Sequence, residues 1–143
     1  QIVVSGVPNA PETPHRLLAP VAEAGIEIDM IVLASNEDGT ADFAFTVHRS
    51  DYDQAIGLTR RGAACWPAAR VEGTDRVAKM SIVGVGMRSH AGVAAKLFAA
   101  LAQAGIGVRL VSTSEIRISV LLAESQLERA VRETHEAFSL SGH

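Results

Sequence analysis

Apolar residues along this chain alternate between two spacings, and the alternation occurs twice. Ile2-Val3-Val4-Ser5-Gly6 is a β-rich run closing on a glycine. From His15 to Glu23, Leu17, Leu18 and Val21 recur at the spacing of a half-buried helix. Ile26 to Leu33 is β-rich again, and Asp42-Phe43-Ala44-Phe45-Thr46-Val47 alternates as a strand with one buried face does. A second helix is predicted from Ser50 to about Arg60 with Ser50 as N-cap, then a short strand from Ala69 to Glu72 and a Gly73-Thr74-Asp75 turn.

The order then returns. Met80-Ser81-Ile82-Val83-Gly84 predicts a strand, and Gly92 to Gln103 a helix whose apolar stripe is Val93, Leu97, Phe98 and Leu101. Strands follow at Ile106 to Val111 and Ile116 to Leu121, then a helix from Ser125, its expected N-cap, to Phe138. Ala24-Gly25-Ile26-Glu27-Ile28 matches Ala104-Gly105-Ile106-Gly107-Val108 at the same point of each copy. The first copy reads β-α-β-β-α-β, and the second matches it as far as its last helix. This predicts an α+β chain of two ferredoxin-like βαββαβ domains in tandem, residues 1–74 and 75–143, with helices on one face of antiparallel sheets. Such a unit leaves a sheet face or its edges uncovered, so pairing of units and of chains is expected.

Composition removes several function classes. Hydrophobic residues make up 48%, enough for a sizeable core, whereas aromatics are 4%, which argues against a surface that stacks bases or sugars. The net charge is −3 and no basic run occurs, so no nucleic-acid partner is expected. Cys65 is the only cysteine; an internal disulfide is impossible, and a reducing cytoplasm is the expected compartment. No apolar stretch approaches the ~20 residues that cross a bilayer, and no signal peptide is visible. The chain opens at Gln1 inside a strand-like run, which reads as a piece of something longer; Ser141-Gly142-His143 is either natural or appended.

No catalytic set emerges. His15, His48, His90, His135 and His143 are scattered, without metal-ligand spacing. Cys65, beside Trp66-Pro67, has no evident base and reads as a buried or incidental thiol. Gly84-Val85-Gly86 lacks the third glycine of a dinucleotide fingerprint.

Residues 84–122, GVGMRSHAGVAAKLFAALAQAGIGVRLVSTSEIRISVLL, resemble the second ACT domain of bacterial aspartate kinases. The run Ser112-Thr113-Ser114-Glu115-Ile116 with Ile118-Ser119 is its most specific part. Ile26-Glu27-Ile28-Asp29-Met30-Ile31, then Glu37-Asp38-Gly39-Thr40, resemble the first domain, so the likeness covers nearly the whole chain. It implies a regulatory module without catalytic residues. Aspartate phosphorylation, with its ATP and Mg, belongs to a kinase domain outside this chain. It also implies lysine or threonine as effector, held between ACT domains of paired chains, either a homodimer or a pairing with a kinase-containing chain.

An amino acid presents a carboxylate beside an ammonium, so its site needs donors next to acceptors. Helix starts supply N–H groups and partial positive charge. The candidate set is Asn9, Ala10, Pro11 and Glu12 at one helix start, and Met87, His90, Gly92, Val93 and Ala94 at the other. Strand segments add Glu27, Ile28, Asp29 and Met30, then Gly107 and Val108, with hydroxyls from Ser112, Thr113 and Ser114. Each has a plainer structural reading: Pro11 and Pro14 as helix-start punctuation, Asp29 as a solvated strand-end residue, His90 as a cap, the serines as strand-edge caps.

Departures from the family pattern fall in this set. Asn9-Ala10-Pro11-Glu12 replaces Asp-x-Pro-Gly, Leu33-Ala34 stands where Gln-Asn is usual, Gly107 replaces Asn and Ala91 replaces Pro. The expectation is a module weakly responsive or unresponsive to lysine and threonine, or tuned to another effector. The alternatives weighed are an ACT-type binding or assembly module for a different small molecule, and a small stand-alone enzyme on the same scaffold.

Overall fold

The computed structural model describes residues 1–83, 90–114 and 116–140. Its elements run β1 (Ile2–Pro8), α1 (Glu12–Glu23), β2 (Ile28–Ser35), β3 (Thr40–Val47), α2 (Tyr52–Ala63), β4 (Arg70–Gly73), β5 (Val77–Val83), α3 (His90–Gln103), β6 (Leu110–Thr113), β7 (Arg117–Ala123) and α4 (Leu127–Leu140). The chain divides into two units, Gln1–Asp75 and Arg76–His143.

In the first unit the sheet order is β2-β3-β1-β4, antiparallel throughout. Alternation along β1 and β3 turns Ile2, Val4, Val7, Ala41, Phe43 and Phe45 to the helices, where they pack with Leu17, Val21 and Ile56. Phe43 and Phe45 stand two apart on that face, ring centroids 6.0 Å apart and tilted by 54°. In the second unit the described sheet is β5-β7-β6, also antiparallel. There Ile118, Val120 and Leu122 meet Leu97 and Leu101 of α3 and Ala130 of α4. These are the two predicted helix-on-sheet sandwiches.

The repeated Ala-Gly-Ile is a helix stop. Ile26 N–H donates to Val21 O (3.3 Å) and Gly25 N–H to Ala22 O (3.0 Å), with Gly25 at φ 77°. Ile106 N–H to Leu101 O (2.9 Å), Gly105 N–H to Ala102 O (3.0 Å) and φ 71° at Gly105 repeat it. Both are Schellman motifs, with the isoleucine buried in its unit's core. They push the next strands later than predicted, to Ile28 and Leu110.

Helix starts required other corrections. α1 begins at Glu12, not His15, because Pro11 and Pro14 suit a first helical turn. Ser50 and Ser125 are not α-helix N-caps: each lies within a 3-10 turn, Arg49–Asp51 and Glu124–Gln126, that precedes the α-helix. His48 and Ala123 lead into these turns, and neither makes a side-chain cap bond.

Candidate functional site

Each predicted site residue is set in place by its own unit. The loop after β1 brings Asn9 beside the β2–β3 turn, its N–H donating to Gly39 O at 3.0 Å. Thr13 clips the start of α1 to β1, its buried Oγ1 donating to Pro8 O at 2.8 Å. Sequence reasoning missed Thr13; a threonine between two helix-start prolines was the available signal.

This helix start is poor in donors. Pro11 and Pro14 carry no N–H, and that of Thr13 donates to Ala10 O at 3.1 Å. Glu12 alone retains a backbone donor in the first turn, and its exposed carboxylate places negative charge against the positive end of α1. A free carboxylate meets little attraction here.

The β2 set lies elsewhere. Glu27 precedes β2 and sits 3.4 Å from His48 Nε2, both side chains exposed. A register shift between Ile28 and Ile31 bulges the strand at Asp29 and Met30. Asp29 is exposed, whereas Met30 is 3% exposed and its N–H donates to Thr46 Oγ1 at 2.9 Å. Register places these residues at one end of the sheet, where Ile28 faces Val47, and Asn9 at the other, where Pro8 faces Thr40. At ~3.3 Å per residue the two groups are roughly 20 Å apart, so a single unit does not bring them together.

In the second unit His90, Gly92, Val93 and Ala94 form the first turns of α3, Gly92 exposed and Val93 and Ala94 half-buried. Met87 and Glu115 lie outside the described residues, as do the Gly84-Val85-Gly86 run and the side chain of His90. Ser112 and Thr113 end β6 with exposed side chains, and Ser114 N–H donates to Arg117 O at 2.8 Å. Topology puts these hydroxyls at the same sheet end as the start of α3, since β5 and β6 both finish there. Gly107 and Val108 lie at the opposite end, before β6.

The chemistry available is hydrogen bonding and charge pairing. Among the described residues no group of three His, Cys, Asp or Glu is arranged to hold a metal ion. No helix is long and apolar enough to cross a membrane, among the residues described.

Comparison with known proteins gives a consistent picture. Residues 80–138 match a family model described as ACT domain. Over 140 residues, 98% of its length, the chain is 48% identical to an aspartate kinase of Pseudomonas fluorescens. It is 47% identical over the same length to an aspartokinase of Pseudomonas aeruginosa. The chain spans 34% of the length of each of these relatives. A crystal structure of aspartokinase alpha and beta subunits superposes with a TM-score of 0.89 at 47% identity, covering 96% of this chain and 90% of that one. The ligand-free regulatory subunit of aspartate kinase from Thermus thermophilus gives 0.85 at 34% identity, with the same coverage. The chain, two tandem ferredoxin-like units, belongs to the ACT-domain regulatory regions of aspartate kinases.

Proposed function

We propose that this chain is the amino-acid-sensing part of an aspartate kinase, exerting feedback control on aspartate phosphorylation in lysine, threonine and methionine biosynthesis. The observation that carries the reading is 47% identity and near-complete overlap with a chain of the aspartokinase alpha and beta subunits. ATP and Mg would bind the kinase domain, outside this chain, and the cytoplasm is the proposed compartment.

The site is proposed to form only when ACT units pair. Asn9 to Glu12 and Glu27 to Met30 occupy opposite ends of one sheet. Antiparallel, side-by-side pairing of β2 with β2 of a second unit would bring one unit's helix start to the other's bulge. Support comes from the β2 edge, where Ile31 is 51% and Leu33 47% exposed on a strand with one open side. The pairing is with a second copy or with a kinase-containing chain.

Response at the α1 start is proposed to be weak. Losing two hydrogen bonds to a charged ligand, at about 1.5–3 kcal/mol each, lowers affinity by two or more decades. The same features favour a second reading, a module tuned to another small effector or serving mainly assembly, because Glu12 and Asp29 suit a cation better than a carboxylate. Calorimetric titration of the chain with lysine, threonine and methionine tests both. Millimolar or weaker binding of lysine and threonine is expected, and Glu12→Gln should tighten it about two- to five-fold by removing the opposing charge. Micromolar affinity in the unmodified chain would refute the weakened response. Failure of all three amino acids to bind, with or without Glu12→Gln, would leave assembly as the function.

A further inference from the structure

Ile28 stands opposite Val47 and Ile31 opposite Phe45, so Asp29 and Met30 of β2 together face the single residue Thr46 of β3. The buried Thr46 side chain fills the gap this leaves in the ladder, its Oγ1 accepting the Met30 N–H at 2.9 Å. We propose that Thr46 is a positioning residue of the effector site. Through this bond it holds the bulge that presents Asp29, and it fixes which side chains the β2 edge shows beyond it. The inference rests on the reading above, that the segment from Glu27 to Met30 holds the effector.

The bulge decides the faces of β2. Residues directly opposed in an antiparallel pair share a face. Phe43, Phe45 and Val47 pack into the core beneath the helices, so Ile28, Ile31 and Leu33, opposite them, lie on the helix side as well. A strand held at Ile28 without the extra residue would turn Met30, Val32 and Ala34 to that side instead. The pairing edge would lose Ile31 and Leu33 from its helix side. Met30 is buried, and a buried N–H without an acceptor is costly. A hydroxyl reaching from the facing strand removes that cost.

The second unit carries the same segment without the hydroxyl. Counted from the shared Ala-Gly-Ile, Met30 corresponds to Leu110, and Leu121 stands across the ladder from Leu110 in the place of Thr46. Leucine cannot accept a hydrogen bond from a bulged N–H. There β6 pairs without a register shift and begins only at Leu110, leaving Val108, the counterpart of Ile28, outside the strand. With Thr46 the ladder continues past the bulge to Ile28, and β2 is 8 residues long against 4 in β6.

The test is titration of the chain with millimolar lysine, threonine and methionine, with binding read from amide NMR shifts. Thr46→Val and Thr46→Cys should each weaken, by at least about fivefold, whichever of the three the unmodified chain binds. Thr46→Ser should stay within about twofold, because it keeps the acceptor. Thr59→Val removes another buried hydroxyl of the same unit, one that donates to Ala55 O at 2.8 Å within α2, and should leave binding unchanged. Serine and cysteine are alike in shape and differ in how well they accept a hydrogen bond, so their comparison decides the matter should Thr46→Val not fold. Equal affinity in Thr46→Ser and Thr46→Cys overturns the proposal, as does a loss in Thr59→Val as large as that in Thr46→Val. If the unmodified chain binds none of the three, the effector reading itself fails and the proposal falls with it; if it binds one and Thr46→Val binds it equally well, the proposal alone is overturned.

Discussion

Thr46 does at residue scale what no pattern announced. It is 7% exposed in a strand read as alternating, yet its hydroxyl accepts the Met30 N–H where the β2 bulge interrupts the ladder. Thr46→Val keeps the shape and strands a buried donor, which costs about 1–3 kcal/mol. Urea unfolding should show the loss, with an unchanged slope. Tyr52 makes a pH prediction. Burial pushes its phenol above the ordinary 10.0, with Arg60 pulling it down and Asp75 and Asp53 adding to the rise. A raised acid pKa means the folded state keeps its proton longer. That contribution to stability is complete below pH 10.0 and is lost as pH climbs from there through the folded value. Tyr52→Phe should flatten the alkaline fall in stability. The ultraviolet titration of this sole tyrosine should have a midpoint above 10.0 in the folded chain. Neither role was legible in sequence, because each depends on a neighbour brought close by tertiary folding.

At the scale of elements, the existence and order of strands and helices were legible and their ends were not. Period-two and helical spacings report which face is buried, and that face persists across an element whatever happens at its ends. Ends depend on local hydrogen bonds. The two 3-10 turns carry chain that periodicity assigned to the following helices, and the two Schellman motifs delay β2 and β6. Those motifs carry a direct prediction. No atom lies within 4 Å of a Cβ added at Gly25 or Gly105, so alanine there is penalised only by its left-handed backbone. Gly25→Ala and Gly105→Ala should each destabilise their unit by about 1–2 kcal/mol. Thermal melts should show similar drops for both. Gly73→Ala should behave differently, since its Cβ would stand 2.6 Å from Tyr52 Oη and 2.8 Å from Gln1 O and so displace packed atoms.

At whole-molecule scale the two units differ in their described sheets. The first has four strands under its helices, the second three among the described residues. More sheet under the same number of helices buries more apolar surface, so Gln1–Asp75 expressed alone should be the more stable piece. Amide exchange on the two separated units should give the higher protection to the first; equal or reversed protection would sink the idea. The candidate site was only half legible at this scale. Sequence likeness named residues on both helix starts and on β2. Register then showed that the first unit holds its two groups at opposite sheet ends.

The sequence by itself determined the repeated helix-and-sheet unit, because a buried face must recur at the period of its own backbone, and it determined the family through the runs at residues 26–31 and 112–119. Tertiary structure decided which of those residues still have hydrogen-bonding capacity to offer. Thr13 is tied to Ala10 and Pro8, and Met30 to Thr46. The physical reason is that a donor or acceptor is free or spent according to what lies within about 3 Å of it in space, and distance along the chain does not report that.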